Sequence, residues 1–303
     1  MNPFSINNIS VFYTRSLFIL FYLAIMLGLP GGCAMTPKKL LVEDLSESFE
    51  AGVILSGRTG RPVSFEALSE QLSASRIIYV GEQHKDASHH KIQLKIIQAV
   101  LEKHPKMAVG MEMFDRSYQH VLDMWSAGEL DQKHFIRKVH WYANWRYRFS
   151  LYSEILNFIQ ENQIRLVGLN IPFHIPPKIR VGGIENLRDE ERSYLPEEID
   201  TSNDAHKDYL REVFAQHGFG GMVEFDDFYA AQCVWEDAMA EAIYRNLNDD
   251  VMVVLAGNGH IQYKYGIPER AFRRTGVPFL TIYPAQVGGK VELNIADFIW
   301  ATQ

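Results

Sequence analysis

The chain has 303 residues, of which 47% are hydrophobic and 22% are charged. This length and composition suit one large α/β domain or two small ones, and they exclude a disordered chain. A net charge of −7 excludes the basic surface typical of nucleic-acid-binding proteins, and two cysteines are too few for a disulfide scaffold or a four-thiolate zinc site.

The N-terminal segment predicts an export signal. Ser16 to Leu29 is a run of fourteen residues without a charge, and Arg15 precedes it. A helix that spans a bilayer needs about 20 apolar residues, so this shorter run is typical of the apolar core of a secretory signal peptide. Small residues followed by Cys33 resemble the lipobox of bacterial lipoproteins, which predicts removal of residues 1–32 and lipidation of Cys33. Ordinary cleavage after Ala34 and an uncleaved membrane anchor are the alternatives.

The rest of the chain is predicted to be a short tether followed by one domain. Residues 33–50 are polar and have no clear periodicity, which predicts a tether, and residues 51–303 are predicted to form a single α/β domain. Within that domain, residues 172–227 lack a strand signal and contain two consecutive prolines, which predicts a helical cap over one end of the sheet. Cys233 lies on an apolar helical pattern and is predicted to be a buried, unreactive thiol.

Five short apolar runs without polar alternation predict strands that are buried on both faces of a mostly parallel sheet. They are Arg76–Gly81, Met107–Met111, Ile164–Leu169, Val251–Gly257 and Val277–Tyr283. Apolar residues recur at helical spacing between these runs, and the longest such pattern covers Asp226–Leu247. Strands that alternate with helices predict a three-layer α/β domain with helices on both faces of the central sheet.

Polar side chains follow four of these strands. Glu82 and His84 follow the first strand, Glu112 the second, Asn170 the third and His260 the fourth. Ligands of open α/β sheets bind beyond the carboxyl ends of the strands, so these residues are predicted to meet in one pocket. His84 and His260 each end a G-x-x-H motif, in which we expect the glycine to permit a sharp turn.

Three interpretations of this group are open. Two histidines and a carboxylate suit a divalent metal, with His84, Glu112 and His260 as candidate ligands. A carboxylate beside a histidine also suits acid–base catalysis, for which Glu82 joins the same three residues. The third interpretation is a buried polar network without a ligand, in which each carboxylate needs hydrogen-bonding partners.

Other polar and aromatic residues also allow two interpretations. The segment His140–Phe149 contains five aromatic rings and two arginines, so it either lines a flat aromatic ligand that carries carboxylates or forms an aromatic part of the core. Gln232 shares a helical face with Trp235 and either points into the pocket or satisfies backbone groups. His89 and His90 are predicted to be solvated. The predicted pocket comprises Glu82, His84, Glu112, Asn170, Gln232, Trp235 and His260.

Several segments resemble the ChaN family, in the same order along the chain. They are Val80–His84, Gly110–Phe114, Gly168–Pro172, Ala231–Ala240, and Ala256–His260 followed by Gly266–Pro268. The resemblance covers nearly the whole of the predicted domain. It implies a non-catalytic bacterial lipoprotein that binds haem for iron acquisition, within the haem-binding uptake and Tiki superfamily. Relatives in that superfamily include Tiki-type metalloproteases and erythromycin-esterase-like hydrolases.

The resemblance implies haem as the ligand, and tyrosine or histidine is the chemical expectation for its iron. The candidate iron ligands are Tyr263, Tyr265, His217 and His174. The resemblance also implies an exported protein, held at the outer membrane or free in the periplasm, that works with outer-membrane haem-uptake machinery and forms a homodimer around haem. The alternative is a periplasmic metal-dependent or acid–base hydrolase that uses Glu82, His84, Glu112 and His260.

Overall fold

The strands lie in two sheets within the part of the chain that the computed structural model describes, which is residues 38–217, 221, 223–248 and 251–303. The predicted signal peptide and Cys33 lie outside the described residues, and so does the side chain of His217. The strands are β1 (Leu40–Val42), β2 (Glu47–Phe49), β3 (Ile54–Ser56), β4 (Pro62–Val63), β5 (Ile77–Glu82), β6 (Met107–Asp115), β7 (Arg165–Asn170), β8 (Val251–Gly257), β9 (Phe279–Gln286), β10 (Lys290–Val291) and β11 (Phe298–Thr302).

The larger sheet has the strand order β4-β3-β11-β9-β5-β8-β6-β7. From β11 to β7 in this order, neighbouring strands pair in parallel. Strands β3 and β4 extend one edge with antiparallel pairing. The predicted mostly parallel sheet is therefore confirmed, and β5, β8 and β6 lie side by side at its centre.

Helices cover both faces of this sheet. They are α1 (Phe65–Ser73), α2 (Ala87–Lys103), α3 (Gln119–Ser126), α4 (Gln132–Lys138), α5 (Trp141–Asn144), α6 (Ser153–Glu161), α7 (Ile175–Gly182), α8 (Asp189–Arg192), α9 (Asp204–His217), α10 (Phe225–Asn246) and α11 (Ile267–Thr275). Successive side chains of a strand point to opposite faces. Ile78 of β5 therefore packs in a cluster with α1, α2, α3 and α6, whereas Ile77 packs with α10 and α11. This arrangement confirms the predicted three-layer architecture.

Helix α2 begins close to the carboxyl end of β5, and a side-chain cap fixes its first turn. The Oδ1 atom of Asp86 accepts a hydrogen bond of 2.8 Å from the backbone N–H of Ser88. Such a cap satisfies one of the free N–H groups at a helix start. Because only four residues separate Glu82 from the helix, the first turns of α2 lie against the strand end, which places His90 and Gln93 beside it.

The structure corrects the predicted tether. Strands β1 and β2 lie within residues 33–50 and form a three-stranded sheet with β10, in which β1 is the central strand and pairs with both β2 and β10. Leu40 and Val42 are fully buried, whereas Leu41 between them is partly exposed. This alternation has the period of a strand, but three residues are too few to distinguish it from a polar tether by sequence alone.

The region predicted as a cap is helical. Helices α7, α8 and α9 and the start of α10 lie within residues 172–227, and the described residues of this region contain no strand. Helix α7 and α10 share a small apolar cluster that includes Ile175, Ile179 and Val234. In the part of the chain that the structure describes, no helix has both the length and the apolar character needed to cross a membrane.

Candidate functional site

The polar strand ends meet at one edge of the sheet. Glu82 ends β5 and pairs in register with Gly257, which ends β8. Glu112 lies in β6, which is the neighbour of β8 on the side away from β5. Between Met111 and Asp115, β6 has two more residues than the stretch of β7 that pairs with it, and Glu112 belongs to this irregular stretch. Such bulges bend a strand and redirect its side chains. The bulge thus allows the Glu112 carboxylate to reach the end of β8.

The carboxylate of Glu82 is buried and is held by four side chains. Its Oε1 accepts hydrogen bonds from Tyr152 at 2.5 Å and from His84 Nδ1 at 2.8 Å. Its Oε2 accepts one from Gln93 at 2.8 Å and lies 3.3 Å from His90 Nε2. Burial by itself would raise the pKa of Glu82, but the hydrogen bonds from His84 and His90 lower it to about 2. Glu82 is therefore an anion that fixes its neighbours.

His84 connects this carboxylate to the solvent. Because its Nδ1 is bound to Glu82, its other ring nitrogen faces away from that carboxylate, and 28% of the side chain is exposed. Burial opposes protonation of the ring, but the hydrogen bond to Glu82 and the charge of Glu112 outweigh it and raise the pKa of His84. An imidazole held in this way can bind or donate a proton at its exposed nitrogen.

A second buried group lies beside the first. Glu112 Oε2 accepts a hydrogen bond of 2.7 Å from the backbone N–H of Gly257. Its Oε1 is 3.5 Å from His260 Nε2, while His260 Nδ1 is 3.2 Å from Oε1 of Glu236. Burial opposes the charge on the ring, but the carboxylates of Glu112 and Glu236 raise the pKa of His260 to about 10. His260 is thus an imidazolium between two carboxylates.

Asn170 and Gln232 support this group. Asn170 is fully buried and donates a 3.0 Å hydrogen bond from Nδ2 to the backbone carbonyl of Glu112. Gln232 donates to Oε1 of Glu236 at 2.8 Å, and its Nε2 lies 3.1 Å from His260 Nδ1. The side-chain amide of Gln232 therefore lies within the polar group.

Sequence reasoning missed a charged extension of the group inside the protein. Arg270 is fully buried, with its guanidinium paired to Asp237 and its Nε 3.4 Å from Oε2 of Glu236. The buried His206 lies 3.4 Å from the same Oε2 atom. Cys233 is buried, as predicted, and its Sγ is 3.2 Å from the Arg270 guanidinium. The adjacent carboxylates of Glu236 and Asp237 on α10 thus face the buried guanidinium of Arg270 on α11, which compensates part of their charge.

The prediction that His89 and His90 are solvated is wrong. Both are buried, with 0% and 4% of their surface exposed. His89 Nδ1 accepts a hydrogen bond from the backbone N–H of Gln83, and the ring lies 3.1 Å from Thr302 Oγ1. A helical signal existed, because His89 lies three residues before the buried Ile92 and therefore on the same face of α2.

The two glycines of the G-x-x-H motifs have a role other than the expected turn. A Cβ atom on Gly257 would lie 3.0 Å from His84 Cε1 and 3.5 Å from Glu112 Oε2. A Cβ atom on Gly81 would clash with Oδ1 of Asn258. Neither glycine has a positive φ. Both are therefore required because neighbouring strand ends approach each other closely, not because the backbone turns sharply.

The predicted metal ligands are neighbours, but they engage one another. Glu112 and His260 form an ion pair, and His84 is bound to Glu82. Within the described residues, no group of three or more histidine, cysteine, aspartate or glutamate side chains has an arrangement that could hold a metal ion. The geometry of the described side chains is that of a hydrogen-bonded polar network.

A cleft of about 830 Å³ opens over His84 and Glu112. Its walls include Trp145, Tyr147, Phe173 and Trp235. The rings of Trp145 and Tyr147 lie 4.8 Å and 5.1 Å from that of His84. The segment His140–Phe149 is thus an aromatic part of the core, which includes Trp141, Trp145 and Phe149, with Tyr147 packed against it. Trp145 and Tyr147 also line the cleft.

The four candidate iron ligands lie in different places. His174 lines the cleft, its side chain is 55% exposed, and its Nε2 is 3.2 Å from Oε1 of Glu191. Tyr263 and Tyr265 do not line it; their rings stack 5.6 Å apart, and the Tyr263 hydroxyl donates to Glu292. The side chain of His217 lies outside the described residues.

The chain matches one known protein family in sequence and resembles solved structures in fold. The model of the family described as haem-binding uptake, Tiki superfamily, ChaN matches residues 68–271, which confirms the resemblance seen in the sequence. No curated protein is similar enough in sequence to count as a match.

Among solved structures, one described as cofacial heme binding to ChaN of Campylobacter jejuni has a TM-score of 0.66 at 19% identity, and the match covers 82% of this chain and 95% of that one. This likeness concerns the fold. An erythromycin esterase EreC mutant (15% identity, 77% of each chain, TM-score 0.46) and the type III effector HopBA1 (13% identity, 78% of this chain and 92% of that one, TM-score 0.46) are more distant.

Proposed function

Because the chain belongs to the family described as haem-binding uptake, Tiki superfamily, ChaN, we propose that it binds haem in the cleft above the strand ends and serves haem-iron uptake without catalysing a reaction. One observation carries the proposal: the cleft of about 830 Å³ has aromatic walls and a histidine on its lining. Apolar and aromatic walls with a few polar groups are typical of pockets for small molecules.

The residues of the cleft fit a haem group. Trp145, Tyr147, Phe173 and Trp235 offer ring surfaces against which a porphyrin can pack. Haem bound there would supply an iron atom that a histidine or tyrosine of the protein could hold. Below these rings, the network around Glu82 and Glu112 keeps the floor of the cleft fixed, so that binding requires little reorganisation of the side chains.

We propose His174 as the iron ligand. It is the candidate whose described side chain lines the cleft, and its contact with Glu191 orients the ring, as carboxylates do for metal-binding histidines. Tyr118 and Tyr147, which the sequence did not single out as iron ligands, line the same cleft and offer oxygen donors. Tyr263, Tyr265 and His217 remain the alternatives.

Titration of the purified mature protein with hemin, followed in the Soret band, tests both parts of the proposal. The wild type should give a saturable band, and His174→Ala should shift the band and weaken binding. Tyr263→Phe, outside the cleft lining, serves as the control and should leave the band unchanged. Absence of a saturable band in the wild type would contradict haem binding, whereas a band changed only by Tyr263→Phe would move the iron ligand to Tyr263.

We further propose that the protein is exported and anchored to the outer membrane through a lipid on Cys33, where it works with haem-uptake machinery. The charge-free run before Cys33 supports this location. Expression of the full chain with a labelled fatty acid should label the wild type but not Cys33→Ser, which should move to the soluble periplasmic fraction. A processed but unlabelled wild type would favour ordinary cleavage after Ala34, and an unprocessed one would favour the uncleaved anchor.

We also propose that two copies of the chain form a dimer that holds haem between them. The Campylobacter jejuni ChaN structure supports it, because haem binding in that protein is described as cofacial. Light scattering on the purified protein should show its mass doubled when hemin is added. A mass that stays that of one copy at saturating hemin would contradict the dimer.

A second candidate function is an acid–base or metal-dependent hydrolase, and one observation favours it. His84 is oriented by Glu82 and lies beside Glu112 on the floor of an open cleft, as acid–base pairs do. A panel of chromogenic esters, with and without added zinc or manganese, tests this function. Turnover should be lost in His84→Ala and kept in His134→Ala, whose side chain is 48% exposed; equal turnover in both variants contradicts catalysis by His84.

A further inference from the structure

We infer that Arg146 forms a binding subsite for a carboxylate at the mouth of the cleft, and that the carboxylate is a propionate of the bound haem. The inference rests on the proposed function and deepens it, because it names the part of the ligand that this residue recognises. Three observations support it: the position of Arg146 in the cleft, the pairing of the other charged residues there, and the left-handed backbone conformation of Arg146.

Arg146 is exposed and lines the cleft between the two aromatic residues that face His84. Trp145 on one side is buried, and Tyr147 on the other is partly buried, with both rings within about 5 Å of the His84 ring. A flat ligand that packs on these rings therefore has its edge within reach of the guanidinium. Arginine binds planar carboxylates through two parallel hydrogen bonds.

The other charged groups of the cleft are already engaged. Glu112 is bound by His260 and by a backbone N–H group. Lys178 lies 2.5 Å from Oε1 of Glu191, and Asp115 accepts a 2.8 Å hydrogen bond from the backbone of Ser117. Arg146 forms no ion pair with any carboxylate among the described residues. It is thus the cleft cation that is open to an anion from solution.

The backbone at Arg146 is strained, which points to a requirement beyond solubility. Its φ of +70° lies in the left-handed region, which a long side chain such as arginine occupies rarely. Residues held there persist where the surrounding structure imposes the conformation, and they cluster at ligand sites. Here Arg146 lies between Trp145 and Tyr147, whose rings are 5.4 Å apart, and all three residues line the cleft.

The test compares hemin with its dimethyl ester, which has the same ring and iron but no free carboxylate. For the wild type, hemin should bind more tightly than the ester. Arg146→Gln should weaken hemin binding about tenfold or more, the effect expected when a hydrogen bond to a charged group is lost, and should leave the ester unaffected. Added salt should also weaken hemin binding less in this variant than in the wild type, because the variant lacks an ion pair that salt can screen.

Arg148→Gln is the matched control, because Arg148 is exposed in the same segment but does not line the cleft; it should bind hemin as the wild type does. Arg146→Gly separates charge from strain, since it relieves the backbone and should still lose hemin affinity. Equal weakening of hemin and ester by Arg146→Gln, or no weakening, overturns the carboxylate subsite while haem binding stands. A wild type that binds neither ligand overturns haem binding and the subsite together.

Discussion

The phenolic oxygen of Tyr152 lies 2.5 Å from Oε1 of Glu82, although the two residues are 70 positions apart in the chain. Both side chains are buried. The Tyr152 ring also lies 4.4 Å from that of His90 and 6.4 Å from that of Trp145. This contact joins the aromatic wall of the cleft to the polar floor at the strand ends, and it explains why the aromatic segment and the first G-x-x-H motif form one site.

Replacement of Tyr152 by phenylalanine should destabilise the protein. The change removes one of the two hydrogen bonds to Oε1 of the buried Glu82 carboxylate, and a hydrogen bond to a charged group contributes about 1.5–3 kcal/mol. Urea denaturation followed by circular dichroism measures the free energy of unfolding. Tyr142→Phe is the control, because Tyr142 is 59% exposed and its loss of a hydroxyl should change stability little. Equal stability of the two variants would show that the contact contributes nothing.

Acid should destabilise the protein through Glu82 and Glu236. Burial opposes ionisation of both carboxylates, yet the pKa of each is lowered from 4.5 to about 2. At Glu82, hydrogen bonds from His84 and His90 outweigh burial. At Glu236, the charges of His206 and Arg270 and a hydrogen bond from His260 outweigh it. A lowered pKa contributes stability that is present above the unfolded-state pKa and is lost as the pH falls through the folded-state value.

The free energy of unfolding should therefore decrease as the pH falls from about 5 towards about 2, with the two carboxylates as the source. Urea denaturation across this range measures the slope. Glu82→Gln should be less stable than the wild type at neutral pH and should show a shallower slope in acid. A slope that is unchanged by Glu82→Gln would mean that other carboxylates cause the acid sensitivity.

His260 should have the opposite pH dependence. Its pKa is raised from 6.5 to about 10 because the carboxylates of Glu112 and Glu236 outweigh burial. His84, Gln232 and Trp235 also face the ring, but His84 is the only one of these three that can carry a charge. A raised pKa contributes stability that is complete below the unfolded-state value and is lost as the pH rises through the folded-state value.

Stability should accordingly fall between about pH 6.5 and about pH 10, and His260→Gln should reduce that fall. Thermal unfolding at a series of pH values measures it. His134→Gln provides a control, since His134 is an exposed histidine on α4, and its alkaline profile should match that of the wild type. A profile of His260→Gln that also matches the wild type would remove His260 as the titrating group.

Alanine at Gly81 and at Gly259 should have contrasting effects. A Cβ atom at Gly81 would clash with Oδ1 of Asn258 and lie 2.7 Å from Cδ1 of Ile261, whereas nothing lies within 4 Å of a Cβ atom at Gly259. Overpacking of this kind costs about 1–3 kcal/mol or more. Gly81→Ala should therefore unfold at a lower urea concentration than the wild type, and Gly259→Ala should unfold like it. A tolerated Gly81→Ala would show that Asn258 can move freely.

Periodicity was sufficient to predict the layers of the fold. The buried runs at β5, β6, β7 and β8 have no polar alternation, which is what a parallel sheet covered on both faces requires. The short strands β1 and β2 were missed, because three residues carry too little pattern and β10, which pairs with β1, is far away in sequence. Local pattern therefore determines an element when the element is long.

The sequence also predicted that Glu82, His84, Glu112 and His260 lie together, since the carboxyl ends of parallel strands share one edge of a sheet. It did not predict which groups these residues engage. Tyr152, His90, Glu236 and Arg270 reach the site from helices or turns of the packed structure. Local sequence does not indicate these contacts, because they are formed only when the helices pack.

The sequence by itself thus determined the family, the mostly parallel sheet and the set of polar strand ends, because these depend on short segments and on the rule that parallel strands end at the same edge. Only the tertiary structure decided which side chains of the site carry a proton and which of them a ligand can reach. The charge of His260 depends on two carboxylates from separate elements, and the cleft exists because Trp145 and Tyr147 pack over His84. Charge–charge interactions and packing act over a few ångströms in space, whatever the distance between the residues in sequence.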